Sequence, residues 1–198
     1  MNLIYTVNTL KEKYTTHKPS VFDGWDFREY VKVENYFNPL GASRFYKILN
    51  REPKEYKKTL YYDTKFKPNF DYAEWASHFQ DYDLVVMRHN KRDCVYDEIQ
   101  FCINLDIFNN EILNKQLDYL NKIRFPKNVG LWAPGIMIRK NNKAIRKFNI
   151  MWWNYFDLFP CRDQISLAMA IYNNKKSDHP IKIKALDFKE TYNLFMGR

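Results

Sequence analysis

The feature that most constrains the fold of this chain is its alternation of strand-length apolar runs with segments of helical spacing. The apolar runs predict strands at residues 3–7, 59–62, 84–87, 136–138 and 181–186, with a weaker strand at 25–33. Helical spacing predicts helices at 44–50 with Ser43 as its cap, after Asp71, at 93–101, around 113–120 and after Asp163. Strands separated by helices are typical of an α/β sandwich with a mostly parallel central sheet. We therefore predict one α/β domain over residues 1–198.

Glycine is scarce, and this limits how the chain could bind a phosphate. The sequence has 5 glycines, whereas average usage of about 7% would supply roughly 14. Neither the Gly-x-Gly-x-x-Gly spacing nor the P-loop spacing occurs. A glycine-rich phosphate-binding loop is therefore excluded, and a bound diphosphate would have to be held by side chains.

The apolar stretches, the first residues and the cysteines together predict a cytoplasmic protein, which would be in the host cytoplasm if the protein is viral. Charges interrupt every apolar stretch before it approaches the roughly 18–20 residues of a membrane span. The first residues are typical of a strand and not of a secretion signal. The three cysteines lack Cys-x-x-Cys spacing, so we expect free thiols in a reducing compartment.

The net charge of +9 is concentrated in one part of the chain. Residues 122–147, called the basic segment below, contain eight basic residues and no acidic one. Such a segment would attract a polyanion and make its binding sensitive to salt.

Polar side chains follow two predicted strands at the point where each strand ends. Asp63 follows the strand at 59–62, and Arg88, His89 and Asn90 follow the strand at 84–87. In open α/β sheets, ligands bind beyond the carboxyl ends of the strands. A carboxylate there could hold a divalent metal ion or a ribose hydroxyl, or it could be a turn aspartate that bonds its own backbone. A solvated loop is the structural alternative for His89.

Two further carboxylates are candidates on helices. Glu98 flanks the apolar stripe of the helix at 93–101 and could point inward, although an exposed helix charge is the alternative. Arg162, Asp163 and Gln164 stand where a helix begins, close to Trp152 and Trp153, an arrangement that could bind a sugar by stacking and hydrogen bonding. The alternatives are a helix cap for Asp163 and core positions for the tryptophans.

Several short motifs together resemble a known family. In chain order they are Tyr5-Thr6, residues 42–47, Tyr62-Asp63-Thr64-Lys65, Arg88-His89-Asn90, residues 95–98, residues 130–132, residues 135–139, Trp152-Trp153 and residues 162–166. Their order and spacing resemble the glycosyltransferase-like domain of the plant MUCI and TOD proteins, which also occurs in bacterial and phage proteins. The resemblance implies a GT-A-type, Rossmann-like α/β sandwich that takes a sugar from a nucleotide sugar, with a UDP-sugar favoured.

The resemblance also implies roles for individual residues. The donor would be bound by Tyr5, Thr6, Arg44, Lys47, Asp63, Lys65, Arg88 and Gln164. His89, Glu98 and Asp163 would surround the transferred sugar as catalytic residues, with Asp163 or Glu98 as the base. Asp63 would take the place of the metal-binding Asp-x-Asp motif, but Lys65 stands at its third position. A lysine could itself neutralise the diphosphate, so dependence on Mn²⁺ or Mg²⁺ stays open.

The basic segment suggests the acceptor. Our leading hypothesis is a phage-type enzyme that glycosylates a hydroxyl on modified DNA, such as that of a 5-hydroxymethylpyrimidine flipped out of the duplex. The predicted acceptor-binding residues are Trp152, Trp153, Arg139, Lys140 and Lys143. One alternative is transfer to a polysaccharide or glycolipid, and another is a nucleic-acid-binding module without catalysis.

Overall fold

The computed structural model describes residues 1–9, 16, 18, 24–31, 39–50, 55–66 and 71–196. The strands in this part of the chain are β1 (Asn2–Val7), β2 (Trp25–Tyr30), β3 (Lys58–Tyr62), β4 (Leu84–Arg88), β5 (Trp132–Lys140) and β6 (Ile183–Leu186). The helices are α1 (Pro39–Leu49), α2 (Tyr72–Ser77), α3 (Val95–Asn104), α4 (Asn110–Lys122), α5 (Lys143–Leu158), α6 (Asp163–Asn174) and α7 (Phe188–Met196).

The six strands form one sheet in the order β2-β1-β3-β5-β4-β6. β1 is parallel to β2 and β3, and β4 is parallel to β6. β5 is antiparallel to both of its neighbours, β3 and β4. Five strands therefore run in one direction and one runs against them, which confirms the predicted α/β fold with a mostly parallel sheet.

Helices cover both faces of the sheet because side chains alternate between the faces along each strand. Leu3 and Tyr61 belong to a core with residues of α1, α3, α4, α5 and α6. Ile4 and Leu60, their sequence neighbours, belong to a second core with residues of α2 and α7. The molecule is therefore a three-layer sandwich with its larger core on the α1 and α5 side.

Helix starts agree with the sequence at one predicted cap and differ at two. The Asp71 carboxylate accepts a hydrogen bond from the Glu74 N–H and caps α2, as predicted. Ser43 is not a cap, since α1 already begins at Pro39. Asp163 is not the cap of α6 either, because Arg162 occupies that position and Asp163 is the first helical residue.

Five of the six strands in the described residues begin on one side of the sheet and end on the other, and we name these two sides. The carboxyl edge is the one where β1, β3 and β4 end, at Val7, Tyr62 and Arg88. Because β5 runs in the opposite direction, it begins there and ends at Lys140, which pairs with Lys58 at the start of β3. We call that second side the opposite edge.

The helices in the described part of the chain include none with the length and apolar character needed to cross a membrane.

Candidate active site

Two adjoining cavities open at the carboxyl edge. The β1 cavity, of about 270 Å³, lies beyond β1 and is lined by Asn8 and Ser43 among others. The β4 cavity, of about 230 Å³, lies beyond β4 and is lined by His89 and Gln164 among others. Arg44, Asp63 and Lys65 line both cavities. We call the two cavities together the cleft, with these three residues at their junction.

A larger cavity of about 600 Å³ lies elsewhere, between the start of α5 and the end of α6. Lys143, Lys147 and His179 are among its lining residues. None of the residues that form the clustered ion pairs at the carboxyl edge lines this cavity. The volume of a cavity therefore does not by itself identify the reactive site.

Asp163 is held by two cations at the cleft. Arg44 and Lys47 are three residues apart on α1 and therefore share a helix face. The Arg44 Nε atom lies 3.0 Å from Asp163 Oδ2, and the Lys47 Nζ atom lies 2.8 Å from the same oxygen. Burial by itself would raise the pKa of Asp163, but Arg44 and Lys47 outweigh it and hold that pKa well below its usual range. Asp163 is therefore anionic at neutral pH and a poor proton acceptor.

Lys47 also links Asp163 to Asp63. The Lys47 Nζ atom lies 3.5 Å from Asp63 Oδ1, although Lys47 is 2% exposed. Tyr61 donates its hydroxyl to the same Asp63 oxygen at 2.6 Å. Burial and the Asp63 carboxylate raise the pKa of Tyr61 well above its ordinary value. Tyr61 therefore keeps its proton and remains a donor to Asp63.

Gly135 lets the backbone of β5 approach Asp63 closely. The Asp63 N–H donates to the Gly135 carbonyl at 2.8 Å. A Cβ atom at position 135 would lie 3.0 Å from Asp63 Oδ2 and 3.3 Å from Phe66. A Cβ atom here would therefore require the Asp63 carboxylate to shift by a few tenths of an ångström.

Glu98 is buried beneath the cleft and contacts arginines. It is completely buried, as the inward prediction for this residue required. Arg92 Nε donates to one of its oxygens at 2.6 Å, and Arg162 Nε donates to the other at 2.9 Å. Arg162 lines the β4 cavity, whereas Glu98 is absent from its lining. Glu98 therefore positions Arg162 and does not reach the cavity surface itself.

His89 faces the β4 cavity as a neutral donor. Its Nδ1 atom accepts the backbone N–H of Arg92 at 3.1 Å and that of Lys91 at 3.3 Å. Burial lowers the pKa of His89; Glu98 opposes that shift and Arg92 adds to it. The neutral ring therefore carries its proton on Nε2, 3.8 Å from Glu98.

The cleft fits a divalent metal ion poorly. Asp63 Oδ1 already accepts from Tyr61 and faces the Lys47 ammonium group. Mg²⁺ and Ca²⁺ prefer several oxygen ligands. Within the described residues, no three His, Cys, Asp or Glu side chains come together as possible metal ligands. The predicted Asp-x-Asp role of Asp63 is therefore not supported by its surroundings.

Comparison with known proteins identifies the family. Residues 70–196, more than half of the chain, match the model of the TOD1/MUCI70, glycosyltransferase-like domain. The chain belongs to this family. The matched range contains His89, Glu98, Asp163 and Gln164, whereas β1, β2, α1 and β3 lie before it. Family membership confirms the resemblance and supports glycosyltransferase activity.

Two chains of solved structures match this chain, whereas no curated protein does. One of the two belongs to the crystal structure of mouse xyloside xylosyltransferase 1 in its apo form. The sequence identity is 10% and the TM-score is 0.48, over 98% of this chain and 93% of the mouse chain.

Most donor and catalytic residues predicted from the sequence meet in the cleft of this glycosyltransferase-like domain. Those that line it are Arg44, Lys47, Asp63, Lys65, His89, Asp163 and Gln164. Arg162, which stands beside Asp163 and Gln164 in the sequence and was grouped with them, also lines the β4 cavity. Tyr61 and Gly135 were missed as site residues.

Tyr5 and Thr6 do not line the cleft, and their role in binding the donor stays a prediction. Both are fully buried in the sheet. The Thr6 hydroxyl donates to the Tyr62 carbonyl at 2.7 Å, and Tyr5 packs against Tyr61. They hold β1 and β3 together beneath the site. Arg88 is exposed and stacks over Trp132 at 4.7 Å, outside both cavities.

Trp152 and Arg139 cannot contact an acceptor, because both are fully buried. The Trp152 Nε1–H lies within hydrogen-bond distance of the Asp163 carbonyl, at 3.2 Å, and of Ser166 Oγ, at 3.1 Å. Arg139 donates to the Lys47 carbonyl at 2.8 Å and to the Ile48 carbonyl at 3.0 Å. Both residues therefore support the elements that carry the site.

The other predicted acceptor residues also lie away from the cleft. Trp153 is half-buried and packs edge-on against Phe45, with ring centres 5.5 Å apart. Lys140 ends β5 and Lys143 begins α5, so both lie at the opposite edge. None of the three lines either cavity of the cleft, and their role in binding an acceptor stays a prediction.

Proposed function

We propose that this protein is a glycosyltransferase that uses a nucleotide-sugar donor bound in the cleft at the carboxyl edge. The observation that carries the proposal is the junction of the two cavities, where Arg44 and Lys65 flank Asp63. Glycosyl transfer proceeds through an oxocarbenium-like transition state and needs a stabilised leaving group. Cations between two cavities suit a diphosphate that joins a nucleoside on one side to a sugar on the other.

The proposed donor orientation follows from the lining of each cavity. The β1 cavity presents Asn8, Thr9 and Ser43, which suit the hydroxyls of a ribose. The β4 cavity presents His89, Asn90 and Gln164, among other polar groups. Amide, imidazole and carboxylate groups converging on one small cavity suit the several hydroxyls of a sugar. We therefore assign the nucleoside to the β1 cavity and the sugar to the β4 cavity.

Asp163 has a binding role in this proposal. Its carboxylate stays ionised because of Arg44 and Lys47, so it accepts hydrogen bonds from sugar hydroxyls and does not remove a proton. Glu98 positions Arg162, whose guanidinium lines the sugar side of the cleft. The expectation that Asp163 or Glu98 is the base is thus replaced by these two roles.

A hydroxyl on modified DNA remains our proposed acceptor. The net charge of +9 supports a polyanionic partner. Part of the basic segment also lies on the cleft side. The Lys127 side chain is near Tyr96 at the start of α3, and the Gly130 N–H donates to the Asp93 carbonyl in the β4–α3 loop. Lys91, in the same loop, is exposed. Lys91 and Lys127 therefore lie on or beside the β4–α3 loop that carries His89, and we expect an acceptor to approach the cleft there.

The experiment separates donor use from acceptor choice. The protein is incubated with UDP-sugars and either hydroxymethylated DNA or saccharide acceptors, and the products are analysed by mass spectrometry. We expect a hexose or pentose mass increment on the hydroxymethylated nucleoside. An increment on saccharides alone would reject the DNA acceptor and retain the transferase, whereas no transfer and no hydrolysis of any donor would reject both.

A matched pair of lysine variants tests the cleft itself. Lys65→Ala removes a junction cation, and Lys143→Ala removes a lysine at the opposite edge. We expect the first variant to lose transfer and the second to keep it. Equal activity of the two variants would contradict the assigned donor site.

A further inference from the structure

The chain places lysines where a divalent metal ion would otherwise be expected. Lys65 stands at the third position of Asp63-Thr64-Lys65 and lines both cavities. Lys47 is buried, and its ammonium group lies between two carboxylates, 2.8 Å from Asp163 and 3.5 Å from Asp63. An ion that bridged Asp63 and Asp163 would have to occupy the position that Lys47 already fills.

Asp63 is also poorly available as a metal ligand. Its Oδ1 atom accepts from the Tyr61 hydroxyl at 2.6 Å. Its Oδ2 atom lies over Gly135, within 3.0 Å of where a Cβ atom would be. A divalent ion beside this carboxylate would be repelled by the ammonium group of Lys47, because both charges are positive and the site is only partly solvated.

We infer that Arg44 and Lys65, supported by Lys47, neutralise the diphosphate of the donor in place of a divalent metal ion. The inference rests on the proposed function. When the bond from the anomeric carbon to the diphosphate oxygen breaks, its electron pair moves to that oxygen. The acceptor oxygen forms the new bond, and its proton is lost to solvent. The nucleoside diphosphate then carries one additional negative charge, and Arg44 and Lys65 contact it at the junction of the cavities.

The three cations have different roles. Lys47 contacts both carboxylates, so it holds Asp63 and Asp163 in place and keeps Asp163 ionised. Arg44 pairs with Asp163 through its Nε atom, donates from Nη1 to Ser43 Oγ at 3.0 Å, and lines both cavities. No ion pair of Lys65 was found within the described residues, and its ammonium group lies 5.2 Å from the Phe66 ring. Lys65 is therefore the cation best able to move onto a diphosphate.

The test is calorimetric titration of the whole protein with UDP, in EDTA and separately in Mn²⁺ or Mg²⁺. We expect UDP to bind in EDTA, with an affinity that changes less than about threefold when either metal ion is added. Lys65→Ala should weaken UDP binding by at least about tenfold in EDTA, and added Mn²⁺ should not restore it. Lys65→Arg should retain most of the affinity, and Lys143→Ala is the matched control that should bind as the wild type does.

The outcomes distinguish the inference from the proposed function. Binding of UDP only in the presence of Mn²⁺ or Mg²⁺ would overturn the inference and leave the glycosyltransferase proposal intact. Unchanged binding by Lys65→Ala would also overturn it. Absence of UDP binding under every condition would overturn both, provided that thermal unfolding shows the protein to be folded.

Discussion

At the scale of single residues, the centre of this molecule is a buried alternation of charges. Arg44 and Lys47 face Asp163, and Lys47 also faces Asp63. Removing one member of a buried ion pair leaves its partner uncompensated, which typically costs about 3–5 kcal/mol of stability. The same residues line the cleft, so stability and donor binding depend on the same groups.

The first prediction concerns Asp163→Asn and pH. The folded pKa of Asp163 lies well below its unfolded value of about 3.9. Its ionised form therefore stabilises the fold above that value, and the contribution is lost as pH falls towards the folded pKa. We expect Asp163→Asn to lower the free energy of unfolding by about 3 kcal/mol at pH 7. The difference in the free energy of unfolding between the variant and the wild type should shrink as pH falls below about 4.

Denaturant unfolding from pH 7 down to about pH 3 measures this effect. The control is Asp157→Asn, at an exposed position on α5. A constant difference between Asp163→Asn and wild type over that pH range would contradict the assigned ion pair. The variant should also lose transfer, which the mass-spectrometric assay detects.

The second prediction concerns the close approach of β5 to Asp63. Gly135→Ala introduces a Cβ atom 3.0 Å from the Asp63 carboxylate, so the side chain or the strand must move. We expect overpacking to cost about 1–3 kcal/mol of stability and UDP affinity to fall. Calorimetry and thermal unfolding provide the two measurements.

Gly24→Ala is a useful comparison for that variant. Gly24, directly before β2, has a φ of 81° but open space around its Cβ position. It should lower stability through backbone strain and leave UDP affinity unchanged. If Gly135→Ala behaves in the same way as Gly24→Ala, the contact between Gly135 and Asp63 has no role in donor binding.

At the scale of elements, the site depends on how α1 and α6 are held against each other. α5 lies between them in sequence, and Trp152 on α5 donates from Nε1 to the first turn of α6. Arg139 on β5 bonds the Lys47 and Ile48 carbonyls near the end of α1. Two buried side chains thereby align the helix that carries Lys47 with the helix that carries Asp163.

The third prediction tests this alignment with Trp152→Phe. The change keeps an aromatic ring in the core but removes the buried donor, leaving the start of α6 with fewer hydrogen bonds. We expect a loss of about 1–3 kcal/mol in stability and a fall in kcat larger than the rise in KM. The split between kcat and KM is the readout, because a purely structural role would reduce only the amount of folded enzyme. Trp153→Phe, at a half-buried position outside the cleft, should change neither constant.

At the scale of the whole molecule, the residues of the basic segment are divided between the carboxyl edge and the opposite edge of the sheet. Lys127 lies on the cleft side, whereas Lys140 and Lys143 lie at the opposite edge. Burial and the neighbouring Lys140 lower the pKa of Lys58, a sign of crowded positive charge there. Arg139, between the two groups in sequence, is inside the protein. The eight basic residues therefore do not form one surface.

The fourth prediction follows from that division. If DNA is the acceptor in the cleft, Lys127→Glu should weaken DNA binding, and the slope of the salt dependence should fall by about 0.9 for each phosphate that the protein no longer neutralises. Lys143→Glu, with the same charge change at the opposite edge, should leave affinity and slope unchanged. Fluorescence anisotropy with labelled DNA at several salt concentrations measures both. A larger effect of Lys143→Glu would indicate that DNA binds at the opposite edge and not at the cleft.

Short sequence patterns were sufficient to predict the strands of the sheet and some residues of the site. The six strands of the described residues all overlap predicted strands, because strand formation is visible in short stretches of alternating or continuous apolar residues. The prediction was weaker for β2, and β5 extends beyond the predicted 136–138. Asp63 and His89 were found because polar residues directly after buried strands must meet at one edge. α5 and α7 were missed, since the aromatic run in α5 shows no clear polar face.

The sequence alone determined the α/β class, the strands, the family resemblance and the polar residues at the strand ends, because each depends on neighbouring residues. Only the tertiary structure decided which charges meet and which large side chains are accessible. Lys47 and Asp163 are far apart in the chain, and they meet because α1 and α6 pack at the same edge of the sheet. Trp152 and Arg139 have residue types suited to surface recognition, yet packing buries both. Burial and long-range pairing depend on the arrangement of distant elements, which short sequence patterns do not contain.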